Sequence, residues 1–441
     1  MRRGSVYNTQ TMEEVRKQPG TILKNDRMLF RFSLYGFLKN LRFFEPFLLL
    51  TFRDAGLSFF QIGLLYSIRD LSTNLLEIPA GFLADIYGRR RAMVMSFSAY
   101  IVSFLVFFLL PGFASYAGAM VIFAMGEALR SGTHKALILE HLKLEGIESI
   151  KVAYYGRTRG ASQLGSALNA LIAAGLVFYT GDYRFIFVAS VLPYILDLIN
   201  LATYPPELDG ELGRRGEGRF RDQVKQTFGD FVGIFKHRFA VCAILNSAGY
   251  SAAFKSVKDY LQPLLEAFAL SLPLFLALEE TRRSALVIGA VYFIIYLLTS
   301  FASRSAARFS DRFANLARAV NLSFLAGAVM VILAGVASWL GAELAAIALF
   351  LGLFLLQNVR RPMNVGIISD QIDVRVMASG LSVESQATTL LMSLFAPIIG
   401  ALADRFSIGV ALMVFGLCLA ALTWFVRVQP AERGVENPSG G

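Results

Sequence analysis

Apolar segments of about 20 residues recur along this chain, and no other feature narrows its fold so far. Twelve can be read, at roughly 29–52, 58–82, 92–111, 115–139, 158–179, 184–203, 239–264, 283–303, 317–338, 342–366, 380–402 and 407–427. That length matches a helix crossing a hydrocarbon layer about 30 Å thick. With 55% hydrophobic and 17% charged residues, the chain is too apolar for a soluble protein and too regularly interrupted for one buried core. The stretch "LSLPLFLALEE", around 271–280 and broken by Pro273, is placed in an outer loop and not counted as a span. The polar first 28 residues lack the apolar core and small-residue cleavage site of a removable signal peptide. Cys242 and Cys418 both fall inside predicted spans, so no disulfide framework is expected.

The net charge of +10 is unevenly spread. Basic residues gather in alternate loops. They include Arg2, Arg3, Arg16, Lys17, Lys24 and Arg27, then Arg89 to Arg91, then Lys143, Lys151, Arg157 and Arg159. Arg214, Arg215, Arg219, Arg221 and Lys225 follow, and then Arg304, Arg308, Arg312 and Arg318. The loops between are poor in Lys and Arg, with Arg282 and Arg283 the main exception. Cytoplasmic loops carry such an excess, so both termini are expected in the cytoplasm. The charge orients a membrane protein and gives no reason to invoke a nucleic-acid partner.

Tyr204 to Asp230 is the longest polar interruption, rich in Pro, Gly and mixed charge, and it divides six spans from six. The expected organisation is a cytoplasmic segment 1–28, a six-helix bundle 29–203, a cytoplasmic linker 204–236, a second bundle 237–427 and a cytoplasmic tail 428–441. The halves repeat one another. Ile62, Gly63, Tyr66 and Asp85 have the spacing of Ile288, Gly289, Tyr292 and Asp311, and "RAMVMSF" from Arg91 aligns with "RAVNLSF" from Arg318. Glu127 and Arg130 match Gln357 and Arg360, and Ser162-Gln163 matches Ser385-Gln386. Four matches in chain order imply two homologous bundles, one of the standard transporter plans.

"GFLADIYGRRRAM", Gly81 to Met93, resembles the signature of the major facilitator superfamily in the loop between spans 2 and 3. Gly81, Asp85, Gly88, Arg89 and Arg90 match it, while Ile86 stands where the signature has Arg. The second half keeps a decayed copy, "ARFSDRF", with Arg308, Asp311 and Arg312. The resemblance covers the whole chain. It implies an all-α membrane protein of twelve transmembrane helices in two pseudo-symmetric six-helix bundles, with the substrate site near mid-membrane. It also implies a gating role in which Asp85 contacts span 11. The residues themselves argue that Gly81 allows close helix approach, Gly88 a tight turn, and Asp85 an anion for an arginine or a helix N-terminus. A plain topological anchor accounts for Arg91.

Charges inside the spans point to the solute. In "FLKNLRFFEPFLLL", Phe37 to Leu50, Lys39, Arg42 and Glu45 lie at i, i+3 and i+6. On a continuous helix they cover an arc of about 120°, with Tyr35 on the same side. Facing lipid, they would cost roughly 8–10 kcal/mol against about 3–7 kcal/mol returned by neighbouring apolar residues. The arc should therefore face protein or water. Spans 4, 7 and 10, which the resemblance places around the same cavity, carry Glu127 and Arg130, Lys255, Lys258 and Asp259, and Arg360. Six cations (Lys39, Arg42, Arg130, Lys255, Lys258, Arg360) thus face three anions (Glu45, Glu127, Asp259), a surplus suited to carboxylate or phosphate. Within-helix pairs Arg42–Glu45 and Glu127–Arg130 that only neutralise each other are the competing reading. Lys39, Lys255 and Lys258 lack so obvious a local partner, and Arg360 and Arg361 could equally be anchors at the inner surface.

In span 2, Arg69 and Asp70 point about 100° apart and are expected to reach different partners, while Asp70, Asn74 and Glu77 share a face. Glu45, Asp70, Glu77, Glu127 and Asp259 are the candidate proton carriers, because burial raises a carboxylate pKa. Asp197 and Glu384 read as structural. The small residues of span 5 (Gly156, Gly160, Ser162, Gly165, Ser166, Ala167) indicate close helix packing. The Gly-Pro-rich antiporter signature of many drug exporters is missing from that span, which counts against drug/proton antiport.

His134, His141 and His237 lack metal-ligand spacing, and no P-loop, His-Glu-x-x-His or Gly-x-Ser-x-Gly occurs. No metal, no cofactor and no enzymatic activity are expected. The expectation is a secondary transporter, monomeric, in a bacterial inner membrane. It would move an organic or phosphorylated anion with proton coupling or exchange. Proton-coupled efflux of drugs or metabolites is the alternative, and a non-transporting membrane sensor would leave the intramembrane charges unexplained.

Overall fold

The computed structural model describes residues 26–209, 238–302, 305–370 and 377–429, and among these every regular element is a helix. The first half holds α1 (Arg27–Lys39), α2 (Leu48–Asp54), α3 (Phe59–Tyr87), α4 (Arg89–Leu109), α5 (Phe113–Arg130), α6 (Thr133–Leu144), α7 (Lys151–Thr180) and α8 (Phe185–Ala202). The second holds α9 (Arg238–Val257), α10 (Leu261–Ser271), α11 (Glu280–Ala302), α12 (Ala306–Ser310), α13 (Leu316–Trp339), α14 (Glu343–Ser369), α15 (Met377–Arg405) and α16 (Ile408–Phe425). Side-chain caps fix several starts. Asp26 accepts from the N–H groups of Met28 and Leu29, Asn315 from that of Arg318, and Ser407 from that of Val410. The segment around Pro273 is a loop between α10 and α11, as expected. Most of the expected 204–236 linker lies outside the described residues.

Among the described residues, eight helices are long and apolar enough to cross a membrane, drawn from α4, α7, α8, α11, α13, α14, α15 and α16. The remaining predicted spans are those that carry most of the intramembrane charge, and three of them are not continuous helices. The first stops at Lys39 and resumes at Leu48, so the expected unbroken arc through Lys39, Arg42 and Glu45 does not form. Asn40 turns its side-chain amide back onto the Gly36 carbonyl at 2.5 Å, and Pro46 has no N–H to continue the ladder. The break keeps its backbone paired through Asn40 N–H to Phe37 O and Glu45 N–H to Arg42 O, and Phe43, Phe44 and Phe47 are buried around it. Irregular backbone at membrane depth is tolerated only in such protein-covered or wetted places. The 115–139 segment breaks after Arg130, where Gly132 takes φ 72°, and the 239–264 segment breaks at a 3-10 turn, Lys258–Tyr260.

Two compact units result. One holds the described residues up to Pro46 and from Leu75 to Asp209; the other holds Phe47–Asn74 and the described residues from Arg238 onward. In the first unit α4 packs against α5 and α8, and α1 against α7. In the second, α13 packs against α14 and α16, and α9 against α15, the same pairs one repeat later. The α1–α7 contact depends on small residues, because a Cβ at Gly165 would lie 2.5 Å from the Phe37 carbonyl oxygen and one at Gly36 2.5 Å from Ser162 Oγ. Gly156 and Gly160 face open space, so close packing holds for only part of the small-residue run.

Candidate functional site

In the first unit the break after α1 turns Arg42 toward α5. There Arg42 donates to Glu127 Oε1 at 2.9 Å, and Arg130, one turn along α5, donates to Glu127 Oε2 at 2.5 Å. One carboxylate is therefore bracketed by two guanidiniums, each side chain about a fifth exposed. The within-helix pair expected for Glu127 and Arg130 is present. Arg42, by contrast, reaches beyond its own segment to Glu127 on α5. Arg130 Nε also donates to the Tyr100 hydroxyl at 3.1 Å, and the Tyr194 hydroxyl donates to the Lys39 carbonyl at 3.2 Å. Behind these groups stands an aromatic wall of Phe97, Tyr100, Phe104 and Tyr194 with ring centroids 4.9–5.7 Å apart for its closest pairs. Tyr35 stacks on His134 at 3.6 Å.

Lys39 makes no side-chain hydrogen bond or ion pair among the described residues, although it feels the charges of Arg130, Arg42, Glu127 and Glu45. Arg42 Nε and His134 Nε2 are buried and lack partners. The cluster therefore holds three cationic groups for the two acids Glu127 and Glu45, with an unused donor on Arg42. The cluster thus carries one positive charge in excess. Glu77 lies apart from it and accepts from Ser131 Oγ at 2.8 Å.

The second unit arranges its charges differently. Arg69 and Asp70 do not reach separate partners: Arg69 Nε donates to Asp70 Oδ1 at 2.9 Å, because a long side chain can curl across the angle between adjacent positions. Asp70 Oδ2 is buried without a partner. Lys258 has the local partner that sequence did not reveal, Asp259 at 2.7 Å, since the 3-10 turn brings neighbouring side chains together. Lys255 is exposed and makes no ion pair or hydrogen bond among the described residues. Arg360 is fully buried inside the unit. It donates to Ser323 Oγ, the Val320 carbonyl and Asn246 Oδ1, and lies over the Tyr250 ring at 4.2 Å. Glu384 accepts from Ser247 Oγ at 2.8 Å.

The signature loop splits its members. Gly88 adopts φ 98° at the α3–α4 joint, and a Cβ there would come within 2.8 Å of the Asp209 carboxyl. That carboxyl accepts from the Arg90 N–H at 2.7 Å, while the Arg90 side chain donates to the carbonyls of Ala202 and Tyr204 at the end of α8. Arg89 meets Glu140 at 3.5 Å. Asp85 and Asp311 have no hydrogen bond or ion pair among the described residues. A methyl group added at Gly81 would meet nothing within 4 Å, so the expected close approach is not made there.

Sequence reasoning missed two acids. Asp26 accepts from His141 Nε2 at 3.1 Å and from the Tyr154 hydroxyl at 2.8 Å, tying the start of α1 to α6 and α7. Burial alone would raise its pKa, but these hydrogen bonds, the Leu29 N–H and the charge of His141 outweigh it and bring the carboxyl down to about 2. Asp404 caps α3, accepting from the N–H groups of Phe59 at 2.9 Å and Phe60 at 2.8 Å, and a Cβ on Gly400 would collide with the Phe59 carbonyl oxygen. A signal for it existed: "GALAD", Gly400 to Asp404, repeats the spacing of "GFLAD", Gly81 to Asp85.

A family model described as Major Facilitator Superfamily matches residues 32–383. The chain is 21% identical over 240 residues to a protein of Bacillus subtilis (strain 168) named as an uncharacterized MFS-type transporter, YxaM. That match covers 52% of this chain and 56% of the relative, so the chain spans little more than half of that relative's length. Among solved structures, the nucleoside transporter NupG is 11% identical with a TM-score of 0.70, covering 91% of this chain and 98% of that one. A D-xylose-proton symporter is 15% identical with a TM-score of 0.66, covering 92% and 98%. The peptide transporter POT in complex with sulfate is 14% identical with a TM-score of 0.63, covering 90% and 94%. At these identities the structural likeness speaks for the fold alone.

Proposed function

Because the chain belongs to the major facilitator superfamily, and so is a multi-pass membrane carrier of small solutes and not an enzyme, we propose that it is a secondary active transporter for an organic or phosphorylated anion. On this reading it sits in a bacterial inner membrane as a monomer with twelve spans and both termini cytoplasmic, working by alternating access. One observation carries the anion reading: Arg42 and Arg130 share the single carboxylate of Glu127 while Lys39 stays without a partner among the described residues. A planar guanidinium presents two donors to a carboxylate or phosphate, and each charge-assisted bond contributes about 1.5–3 kcal/mol. An incoming anion can therefore compete with Glu127 for one arginine while Lys39 supplies a second charge. Tyr35 stands beside this group as a positioning surface through its stack on His134.

Lys255 and Lys258 repeat the spacing of Lys39 and Arg42 in the second half, and Lys255 is likewise unpaired among the described residues, so it belongs to the proposed substrate set. Lys258 is retained with less reason, being tied to Asp259, and Arg360 is left out because every direction around it is filled by protein. For proton coupling, Asp70 is the acid of choice. One of its oxygens holds Arg69, and the other is buried without a hydrogen-bond partner among the described residues. Glu127 and Asp259 are committed to ion pairs, Glu77 to Ser131, and Glu45 stays in the set by its place beside the cluster.

Proton-coupled efflux of drugs or metabolites is the second reading, favoured by Asp70. Uptake into proteoliposomes under an imposed pH gradient, across anionic and cationic solutes, separates the two. Anion flux is expected to fall at least about tenfold in Lys39→Gln and in Lys255→Gln, the loss of one charged hydrogen bond. Faster cation flux that ignores both substitutions would sink the anion reading, and failure to transport across the panel would favour a sensor.

A further inference from the structure

Within the second unit, the start of α9, the start of α13 and the end of α16 border an open pocket of about 900 Å³. Arg238, Arg318 and Arg427 line it, each exposed and without an ion pair among the described residues, and no carboxylate is among the lining residues. Three guanidiniums with no ion pair among the described residues share one space, and an anion there offsets their mutual repulsion. The wall is fixed, since Asn321 holds the end of the chain past α16 by donating to the Val428 carbonyl at 2.8 Å and accepting from the Val428 N–H at 3.0 Å. Beside the arginines, Trp424 and Phe425 are each 78% exposed. Basic groups next to outward aromatics is the combination found where a helix end meets lipid headgroups.

The repeat supplies an independent observation. The same corner of the first unit is formed by the starts of α1 and α4 and the end of α8. There the chain fills it with its own anion: the Pro206–Asp209 turn delivers the Asp209 carboxyl to the Arg90 N–H at 2.7 Å and within 4.0 Å of the Arg90 guanidinium. The second corner has no acid in its lining.

We propose that this corner binds an anionic phosphate group carried by a phospholipid, with the headgroup among Arg238, Arg318 and Arg427 and the acyl chains running down past Trp424 and Phe425. Under the topology proposed above, all three helix ends face the cytoplasm, so the lipid comes from the inner leaflet. The binding itself can be read in detergent, where neither topology nor transport is at issue.

The test is retention of added phosphatidylglycerol by the purified full-length chain in micelles, by native mass spectrometry, with phosphatidylcholine, sn-glycerol 1-phosphate and inorganic phosphate as parallel probes. Phosphatidylglycerol is expected to bind more tightly than the other three. Each of Arg238→Gln, Arg318→Gln and Arg427→Gln should weaken it about fivefold, the value of one basic residue near a charged surface. Arg312→Gln, an exposed arginine that does not line the pocket, should leave it unchanged. Circular dichroism and size-exclusion elution show that each variant is folded, and Arg318→Lys, which keeps the charge, should retain most of the binding. Equal retention of phosphatidylcholine, or no loss in the three glutamine variants, overturns the proposal. So does soluble phosphate binding as tightly as the lipid, which would make this a free-anion site. Lipid binding that appears only after residues 430–441 are removed also overturns it, because the chain's own tail would then be the occupant.

Discussion

Arg130 and Arg360 hold the same place in the two repeats, yet their surroundings have diverged. Arg130 is about a fifth exposed and shares the Glu127 carboxylate with Arg42. Arg360 is fully buried and meets no acid: its partners are a carbonyl, a hydroxyl and an amide oxygen, with Tyr250 beneath it. The residue one turn earlier explains the split, Glu127 in one repeat and Gln357 in the other. With a carboxylate available, the arginine is drawn to a charged cluster that can exchange partners. Without one, neutral acceptors and an aromatic face have to satisfy the guanidinium, and that geometry is internal and fixed. Duplication therefore preserved the cation while setting it in an ion-paired cluster in one unit and among neutral acceptors in the other.

The comparison breaks first if the two arginines respond alike to removal. Arg360→Ala strips a buried cation and leaves Asn246, Ser323 and the Val320 carbonyl to find new partners, a loss of about 3–5 kcal/mol. Arg130→Ala leaves Glu127 paired to Arg42, so the cost should be about 1.5–3 kcal/mol while anion uptake is lost. Thermal unfolding in detergent, read beside proteoliposome uptake, gives both quantities. Equal destabilisation, or uptake surviving in Arg130→Ala, would remove the distinction. Arg360→Lys should not rescue, because an ammonium cannot span three acceptors in a fixed planar fork.

A second substitution makes the first unit imitate the second. Glu127→Gln leaves Arg42 and Arg130 without their shared carboxylate, and stability should fall by about 2–3 kcal/mol, less than for a fully buried pair. The sharper expectation is that millimolar sulfate or phosphate restores part of this loss in Glu127→Gln and much less in the parent, since the vacated guanidiniums now take the anion. Sulfate raising the unfolding temperature of both proteins equally would show that the cluster is not an anion cradle.

Much of the fold was legible because hydropathy averages over a whole segment, and the bilayer demands whole segments. Eight of the predicted spans are helices of the required length and apolarity, and the loop around Pro273 falls where its short interrupted pattern placed it. What averaging cannot see is a local break. The interruptions at Asn40–Phe47, after Arg130 and at Lys258–Tyr260 depend on one amide, one glycine and one tight turn, each held by tertiary neighbours. The candidate site suffered accordingly. Its residue types were readable from charge in an apolar context, but partners were not, because long side chains choose among acceptors that only the fold brings near. Arg42 found Glu127, Arg69 curled onto Asp70, and Arg360 turned inward.

The smallest contrast lies in "GFLAD" and "GALAD", the same spacing with opposite outcomes. Asp404 caps α3 through two N–H groups while Gly400 lets the Phe59 carbonyl come close; Asp85 has no partner among the described residues and Gly81 faces open space. A carboxylate at a helix N-terminus contributes about 0.5–2 kcal/mol through capping and the helix dipole. Asp404→Asn should therefore cost about 1 kcal/mol and Asp85→Asn close to nothing. The glycines give an opposite-sign check. Gly400→Ala puts a methyl into backbone that cannot retreat and must destabilise, whereas Gly81→Ala adds a better helix former in empty space and should gain about 0.5–1 kcal/mol. Unfolding curves of the four variants suffice. If Gly81→Ala destabilises as much as Gly400→Ala, the first copy is engaged as tightly as the second, and the asymmetry between them is lost.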